Sequence, residues 1–181
     1  LEPGHPLRLG VPHQRCASGT RWTWDSVAFE VLHPESADHD RPAVALLRPN
    51  AVSCVLRVVS RSGRAALLTG DIGLDQELRL VIRQPARLKA EVLLVPHHGS
   101  GSSSSMLFLK SVRPTWAIVQ AGRHNRYGHP APAAMARYAE QGIEVIRTSQ
   151  CGAWHWQSAG GPPWCARDRR VRYWHPVVPV P

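Results

Sequence analysis

The hydrophobic pattern divides the chain into a first part of short strands and a second part in which strands and helices alternate. In the first part, apolar stretches bounded by turn residues predict strands over residues 22–24, 27–32, 53–59 and 64–69. Residues 1–20 contain many prolines and glycines and predict irregular structure, and the polar segment 33–50, with three prolines, predicts a loop. The first part is therefore expected to form an antiparallel β-meander.

The second part contains apolar runs typical of buried strands and, between them, apolar positions at helical spacing. Positions 74, 78, 81 and 82 form one helical set, and Pro132 and Gly142 mark the two ends of another helix. Helices are predicted over residues 74–82, 104–112 and 132–141. Strands are predicted over residues 91–95, 115–120, 143–147 and 153–157. This alternation predicts an α/β (α+β) fold with a mixed sheet flanked by helices, one half of an αββα sandwich.

The last stretch, residues 158–181, is rich in proline, glycine, arginine and tryptophan and has no clear period. We therefore expect a domain over residues 1–157 and an extended or disordered tail over residues 158–181. Arginines and aromatic residues interleave there, at Arg167, Arg169, Arg170, Arg172, Trp164, Tyr173 and Trp174. Such interleaving suits contact with single-stranded nucleic acid, and a solvated tail without that role explains it equally well.

The chain is strongly basic, with 22 lysines and arginines against 13 acidic residues and a net charge of +9. All the basic residues except Lys89 and Lys110 are arginines, whose planar donor fork suits phosphate. This excess favours a polyanion such as DNA as a partner. A genome rich in G and C would also encode many arginines, so the charge alone leaves both explanations open.

Length and hydrophobicity are those of one globular domain. The 181 residues suffice for a single core, and the hydrophobic content of 43% is ordinary for such a protein. No window has 18 uninterrupted apolar residues, and the start lacks the apolar stretch of a signal peptide. We therefore expect no transmembrane helix in this chain and a soluble piece of protein.

Candidate chemistry lies at the ends of three predicted strands. Asp71 ends LLTGD, His97 and His98 follow the apolar run of VLLVPHHGS, and His129 lies in NRYGHP after the strand at 115–120. Carboxylate and imidazole groups are the ligands of a divalent metal ion. Each residue alone is also explained by turn or capping chemistry. The three in order, each after a strand, favour a metal or catalytic site.

The ordered set LLTGD, VPHHGS and NRYGHP, with RPNAVSCVLRV upstream, resembles a known family. It is similar to the C-terminal metallo-β-lactamase-like domain of ComEC-type DNA-internalisation (competence) proteins. The resemblance covers roughly residues 20–157. It implies a partial metallo-β-lactamase αββα sandwich, a role in DNA uptake, single-stranded DNA as partner and a parent membrane channel. The full-length family is membrane-associated, with this domain expected outside the cytoplasm.

The resemblance also implies metal-dependent cleavage of a phosphodiester. Two divalent ions, Mn or Zn, are expected, with Asp71 as bridging ligand and His129 as a late ligand. His97 or His98 is expected to be a ligand or the acid that protonates the leaving oxygen. Ser100 would hold a phosphate oxygen or orient an imidazole. Four more residues are expected to line the site or contact phosphate: Asn50, Ser53, Arg123 and Arg126.

The chain departs from the family in its first half. Metallo-β-lactamase folds carry an H-x-H-x-D-H metal motif there, and the nearest residues, His33, Asp38, His39 and Asp40, have the wrong spacing. We therefore expect the chain to be the second half of such a domain, as a fragment, a truncated or degenerate copy, or a piece of a longer membrane protein. Its nuclease activity is expected to be impaired. A non-catalytic DNA-binding module and a small-ester hydrolase of the same superfamily remain alternatives.

The four cysteines form no C-x-x-C pair, which disfavours a zinc knuckle. Cys54 lies in an apolar strand and is expected to be a small buried residue. Cys151 and Cys165 could form a disulfide in an oxidising compartment, and the sequence leaves thiols and disulfide equally open.

Overall fold

A computed structural model describes residues 12–39 and 49–170, together with positions 6 and 10. Its strands are β1 (Arg21–Trp24), β2 (Val27–His33), β3 (Val55–Val59), β4 (Ala65–Leu68), β5 (Val92–Leu94), β6 (Trp116–Val119), β7 (Glu144–Arg147), β8 (Trp154–His155) and β9 (Trp164–Cys165). Its helices are α1 (Ser36–His39), α2 (Leu74–Arg83), α3 (Pro85–Leu88), α4 (Met106–Val112), α5 (Pro132–Glu140), α6 (Thr148–Cys151) and α7 (Ala166–Arg169). Short 3-10 helices cover Pro49–Val52 and Pro96–Gly99.

Strands β1 to β7 form one mixed sheet in chain order. The first four strands pair antiparallel, and β4 to β7 pair parallel, with one or two helices in each crossover. Right-handed crossovers between neighbouring parallel strands place their helices on the same face of the sheet. The α/β (α+β) class, the β-meander and the mixed sheet flanked by helices are therefore confirmed.

The core lies between this sheet and helices α2 to α5. Alternate strand residues such as Leu67, Leu93 and Val119 are buried against Phe108 and Tyr138 from the helices. Burial of one such apolar side chain contributes about 1.5–3 kcal/mol to stability. The core therefore fixes the strands, and with them the loops at their ends.

Local sequence signals explain where the helices begin and end. Ser105 caps α4 by accepting a hydrogen bond from the Phe108 amide over 3.3 Å, and Arg113 ends that helix in a left-handed conformation. Pro132 occupies the first turn of α5. None of the helices in the described part of the chain is long and apolar enough to cross a membrane.

Three segments differ from the sequence expectation. The described part of the loop predicted over 33–50 contains α1 and a 3-10 turn, because local side-chain and backbone hydrogen bonds order it. The strand predicted over 153–157 shrinks to β8, which pairs with β9 outside the main sheet. The described part of the expected tail, 158–170, contains β9 and α7, and residues 171–181 lie outside the described residues.

Two disulfides join all four cysteines. Cys16 bonds to Cys54, with Cα atoms 6.0 Å apart, and Cys151 bonds to Cys165, with Cα atoms 4.8 Å apart. The prediction of Cys54 as a buried cysteine is wrong, because Cys54 precedes the first residue of β3, is exposed and is bonded to Cys16. The bridge that the sequence left open for Cys151 is present.

We define the C-terminal knob as residues 148–170, which extend from the end of β7 to the end of the described chain. Within it, the rings of His155 and Trp164 stack at 3.7 Å, and the Arg169 guanidinium lies 4.0 Å from the Trp164 ring centroid. The Arg64 guanidinium lies 4.9 Å from the Trp156 ring and connects the knob to the main sheet. Pairing of β8 with β9 and these ring contacts order the segment in place of a hydrophobic core.

Candidate functional site

The candidate residues converge because their strands end at the same edge of the sheet. The carboxyl ends of β4, β5 and β6 lead into the segments that carry Asp71, His97–His98 and His129. Strand β3 runs antiparallel to β4, so the segment before it, with Asn50 and Ser53, lies at that edge as well. A cleft of about 540 Å³ opens here, lined in part by Asn50, Asp71, His97 and Ser102.

Asp71 follows a tight turn at Gly70. The Gly70 backbone has φ +56°, and a Cβ atom added there would lie 3.2 Å from the Ser53 Cβ. The Asp71 amide donates to the Ser53 Oγ over 3.3 Å, so Ser53 positions the backbone of the aspartate. The Asp71 carboxylate Oδ1 lies 3.4 Å from the His98 Nε2. The structure thus brings Asp71, Ser53 and His98 together.

His97 and His98 form a turn in which both backbones are left-handed. Their φ angles are +49° and +56°, a conformation that costs a non-glycine residue roughly 1–2 kcal/mol. The His97 amide donates to the Gly70 carbonyl over 3.0 Å, which fixes the turn beside Asp71. The two rings point to different partners as a result. The His97 Nε2 lies 3.3 Å from the Asn50 amide nitrogen, and the His98 Nδ1 lies 2.7 Å from the Gln120 carbonyl.

The hydrogen bond to Gln120 determines where His98 carries its proton. A carbonyl oxygen can only accept, so the His98 Nδ1 is protonated. In the neutral ring the Nε2 then presents a lone pair toward the Asp71 carboxylate. At 3.4 Å, these two partly exposed acceptors can share a proton or a cation. The pair is therefore arranged to hold one of these between the imidazole and the carboxylate.

The His129 loop packs on the histidine turn through Gly99. Gly99 has φ +83°, and a Cβ atom there would lie only 2.6 Å from the Pro130 Cβ. The Ala131 amide donates to the Gly99 carbonyl over 2.8 Å. Only glycine permits this approach, which places the His129 ring 5.9 Å from the His97 ring. The glycine thus determines the spacing between two of the predicted ligands.

Asn125 holds His129 within its loop. The His129 amide donates to the Asn125 Oδ1 over 2.9 Å, and the Asn125 side-chain amide donates to the His129 carbonyl over 2.6 Å. Burial lowers the pKa of the His129 imidazole, and His97 and His98 lower it further while Asp71 opposes them. The His129 Nδ1 is buried without a hydrogen-bond partner. A neutral ring with an unsatisfied nitrogen has the donor character that a metal ligand requires.

These donors do not by themselves make a complete metal site. Within residues 12–39 and 49–170, no three histidine, cysteine, aspartate or glutamate side chains are grouped closely enough to hold an ion. The described side chains supply one close carboxylate–imidazole pair and two further imidazoles. The expected site for two Mn or Zn ions remains a prediction.

The predicted residues at the margin of the site have other contacts. The Ser100 Oγ lies 3.1 Å from the Ser102 Oγ, within the serine loop that we define as residues 100–105. Arg126 packs against its neighbour, with its guanidinium donating to the Tyr127 hydroxyl over 2.6 Å. Arg123 is exposed and lines a second cleft beyond Gln120. The two arginines therefore lie beside the converging histidines and not among them.

Glu77 is a buried carboxylate beside the site that the sequence analysis did not single out. It is fully buried on α2, and its carboxylate accepts hydrogen bonds from the Ser104 and Ser105 amides. Burial raises the pKa of this carboxyl, and the same hydrogen bonds oppose the rise. Arg137 donates to the Ser104 carbonyl over 2.7 Å from α5. The signal available in the sequence was a glutamate at 77 among the apolar helical positions 74, 78 and 81.

The residues considered for the missing first-half motif have structural partners. The buried His33 bonds through its Nε2 to the Ala51 carbonyl over 2.8 Å, and burial lowers the pKa of its imidazole. Asp38 accepts from the Arg79 guanidinium over 3.3 Å. His39 bonds to the Cys16 carbonyl over 2.8 Å, and position 40 lies outside the described residues. These residues order the polypeptide between β2 and β3.

Comparison with known proteins adds a separate line of evidence. No family model matches the chain. It is 40% identical over 140 residues to "Competence protein ComA" of Neisseria gonorrhoeae, covering 77% of this chain and 19% of that protein. It is 37% identical over 143 residues to "ComE operon protein 3" of Bacillus subtilis, covering 79% of this chain and 17% of that protein. It is 32% identical over 137 residues to "Recombination protein 2" of Haemophilus influenzae, covering 76% and 16%.

These alignments concern a segment of much longer proteins. The chain spans less than a fifth of the length of each of these three curated relatives. Identity of 32–40% over three quarters of the chain indicates common descent of that segment. The chain is therefore homologous, over most of its own length, to a part of proteins named for competence and recombination.

Proposed function

We propose that this chain is a DNA-handling domain of the metallo-β-lactamase type within a DNA-uptake protein, where it acts on the phosphodiester of an incoming strand. The carrying observation is the meeting of Asp71, His97, His98 and His129 at one edge of the sheet, in a chain homologous to competence proteins. The net charge of +9 supports a polyanionic substrate.

The proton chemistry is proposed from this chain's own side chains. His98, protonated at Nδ1 through Gln120, would carry a second proton on its Nε2 beside Asp71. From there it could donate that proton to the leaving oxygen as a general acid, while a water molecule attacks phosphorus, the P–O bond to the leaving oxygen breaks and the water's proton passes to solvent. The Asp71 carboxylate would stabilise the doubly protonated ring before transfer. His97, whose Nε2 lies 3.3 Å from the Asn50 amide nitrogen, would be held in position beside it.

A divalent ion, Mn²⁺ or Zn²⁺, belongs to this proposal if donors outside the described residues complete the set. Asp71 and His129 are the residues of this chain that would contribute, while His98 would transfer the proton. The buried His129 Nδ1, which has no hydrogen-bond partner, supports its inclusion. When bound, such an ion would supply Lewis acidity toward the phosphate.

A titration with Mn²⁺ and Zn²⁺, followed by a cleavage assay on labelled single-stranded DNA, tests the proposal. Asp71→Ala and His129→Ala are the test variants, and Asp25→Ala and His124→Ala are matched controls outside the converging set. We expect metal affinity and cleavage to fall by at least tenfold in the test variants and to be unchanged in the controls. Equal activity of all four variants and the wild-type chain would refute the catalytic role.

A non-catalytic DNA-binding module is the second candidate. The exposed arginines beside the site, Arg123 and Arg126, favour it, since they could bind phosphate whether or not cleavage follows. This function predicts salt-sensitive binding of single strands that neither chelators nor Asp71→Ala weaken. The same variants therefore distinguish the two functions.

A further inference from the structure

A second cleft lies beside the candidate site, at the carboxyl ends of β6 and β7. It consists of two adjoining cavities, of about 490 Å³ and 310 Å³, that share Ala121, Gly122, Arg123 and Ser149 in their walls. Arg167 lines the first cavity and Arg147 lines the second. We call the two cavities together the arginine cleft. Three arginines therefore line two adjoining cavities.

The walls of the arginine cleft contain no carboxylate to neutralise these charges. The other lining residues, all within the described part of the chain, are neutral: Val119, Gln120, Ala121, Gly122, Pro130, Thr148, Ser149 and Gln150. Hydroxyl and amide groups from the residues after β7 add polar donors. Such a surface attracts an anion, and its arginine forks match the oxygens of a phosphate.

The arginine cleft is continuous with the candidate site through two backbone segments. Gln120, which lines the first cavity, is the residue whose carbonyl fixes the His98 Nδ1 proton. Pro130, which lines the second cavity, directly follows His129. The arginine cleft therefore adjoins the two segments that carry His98 and His129.

The Cys151–Cys165 disulfide assembles one wall of the cleft. It joins α6 to the start of α7, the helix that carries Arg167. The Arg167 guanidinium donates to the Ser149 and Gln150 carbonyls, the latter over 3.3 Å. A Cβ atom at Gly152 would lie 3.2 Å from the Arg167 Cγ, so the glycine permits the close approach. The arginine is therefore held in place before any ligand arrives, which lowers the entropic cost of binding.

We propose that the arginine cleft binds phosphates of a single nucleic-acid strand, next to the phosphate that lies at the candidate site. Arg123 and Arg147 would contact these phosphates, and Arg167, held in place by the Cys151–Cys165 disulfide, would be the third contact. This inference rests on the proposed function for its substrate class. It adds a binding subsite that extends away from the histidines and depends on a disulfide.

Fluorescence anisotropy with a labelled 20-nucleotide oligo-dT, without added metal, tests the cleft. The test variant is Arg123→Gln/Arg147→Gln, and the charge-matched control is Arg61→Gln/Arg113→Gln, which removes two exposed arginines at the other end of the strands. We expect the test variant to bind on the order of tenfold more weakly. Its salt slope should fall by about 1.4, the value for two contacts to a single strand, while the control changes binding less than twofold.

The disulfide provides an independent test. Cys151→Ser/Cys165→Ser should weaken oligo-dT binding several-fold, and Cys16→Ser/Cys54→Ser should leave it unchanged, with circular dichroism confirming that both variants fold. Equal losses of oligo-dT affinity in the arginine test and control variants, or no binding by the wild-type chain, would refute the proposed binding at the arginine cleft. Arginine-dependent binding without Asp71-dependent cleavage would sustain the cleft and refute the catalytic function. The reverse pattern would refute the cleft alone.

Discussion

Replacement of Gly99 by alanine tests how the site is built. The added methyl group would meet Pro130 at 2.6 Å, a distance that requires the His129 loop to shift, in a backbone with φ +83°. The left-handed conformation costs alanine about 1 kcal/mol, and the steric overlap adds about 1–3 kcal/mol. We therefore expect the free energy of unfolding to fall by about 2–4 kcal/mol.

Gly63 offers a matched control, because its φ is +82° and an added Cβ would have nothing within 4 Å. Gly63→Ala should cost about 1 kcal/mol, so the difference between the two variants isolates the contact with Pro130. Urea unfolding measures both free energies. Near the site, NMR spectra should show a larger change at His97 and His129 in Gly99→Ala than in Gly63→Ala. Equal destabilisation by the two variants would refute the claim that Gly99 sets the position of the His129 loop.

Three further predictions follow from titratable groups and disulfides. The folded state raises the pKa of Glu77, so its protonated carboxyl stabilises the fold fully below the ordinary value of 4.5. This stabilisation is lost as pH rises through the folded pKa. Urea unfolding should therefore show the stability of the wild type, relative to Glu77→Gln, declining from pH 4.5 upward. The pKa of His129 is lowered, so its neutral ring stabilises the fold above the ordinary value of 6.5, and this stabilisation is lost as pH falls through the folded pKa. An NMR titration with EDTA present should give a midpoint below 6.5. A midpoint above 6.5 would contradict the argument that burial lowers this pKa. Loss of the disulfide across 38 residues, in Cys16→Ser/Cys54→Ser, should lower the free energy of unfolding by ~4 kcal/mol. Loss of the disulfide across 14 residues, in Cys151→Ser/Cys165→Ser, should lower it by ~3 kcal/mol. Thermal unfolding that ranks the two variants in the opposite order would contradict the loop-entropy argument.

The sequence indicated that Asp71, His97 and His129 belong to one site because each follows a predicted strand in a part of the chain where strands and helices alternate. Parallel strands end at one edge, so residues that directly follow them must be neighbours. The antiparallel strands at the start of the sheet were also predicted, from short apolar stretches with turn residues between them. The fold class therefore followed from local pattern alone.

Contacts between distant segments could not be anticipated in this way. The Glu77 carboxylate meets the serine loop 27 and 28 residues later, and Cys16 meets Cys54 across 38 residues. No periodic pattern in the sequence indicates either pairing, because each depends on how loops pack once the sheet has formed. Contacts of the same kind occur in residues 158–170, where aromatic stacking and a disulfide hold a segment whose composition is typical of disorder.

The parallel order of β4 to β7 has a consequence for the time course of folding. Each crossover must close before its two strands can pair, and the site draws on every strand end from β4 to β6 together with the segment before β3. Asn50 and His97, which meet in the site, are 47 positions apart. Helices such as α2 can form early from local contacts, whereas the site exists only after the long-range pairings are complete. The contact between Asn50 and His97 would therefore form after helix content has recovered during refolding.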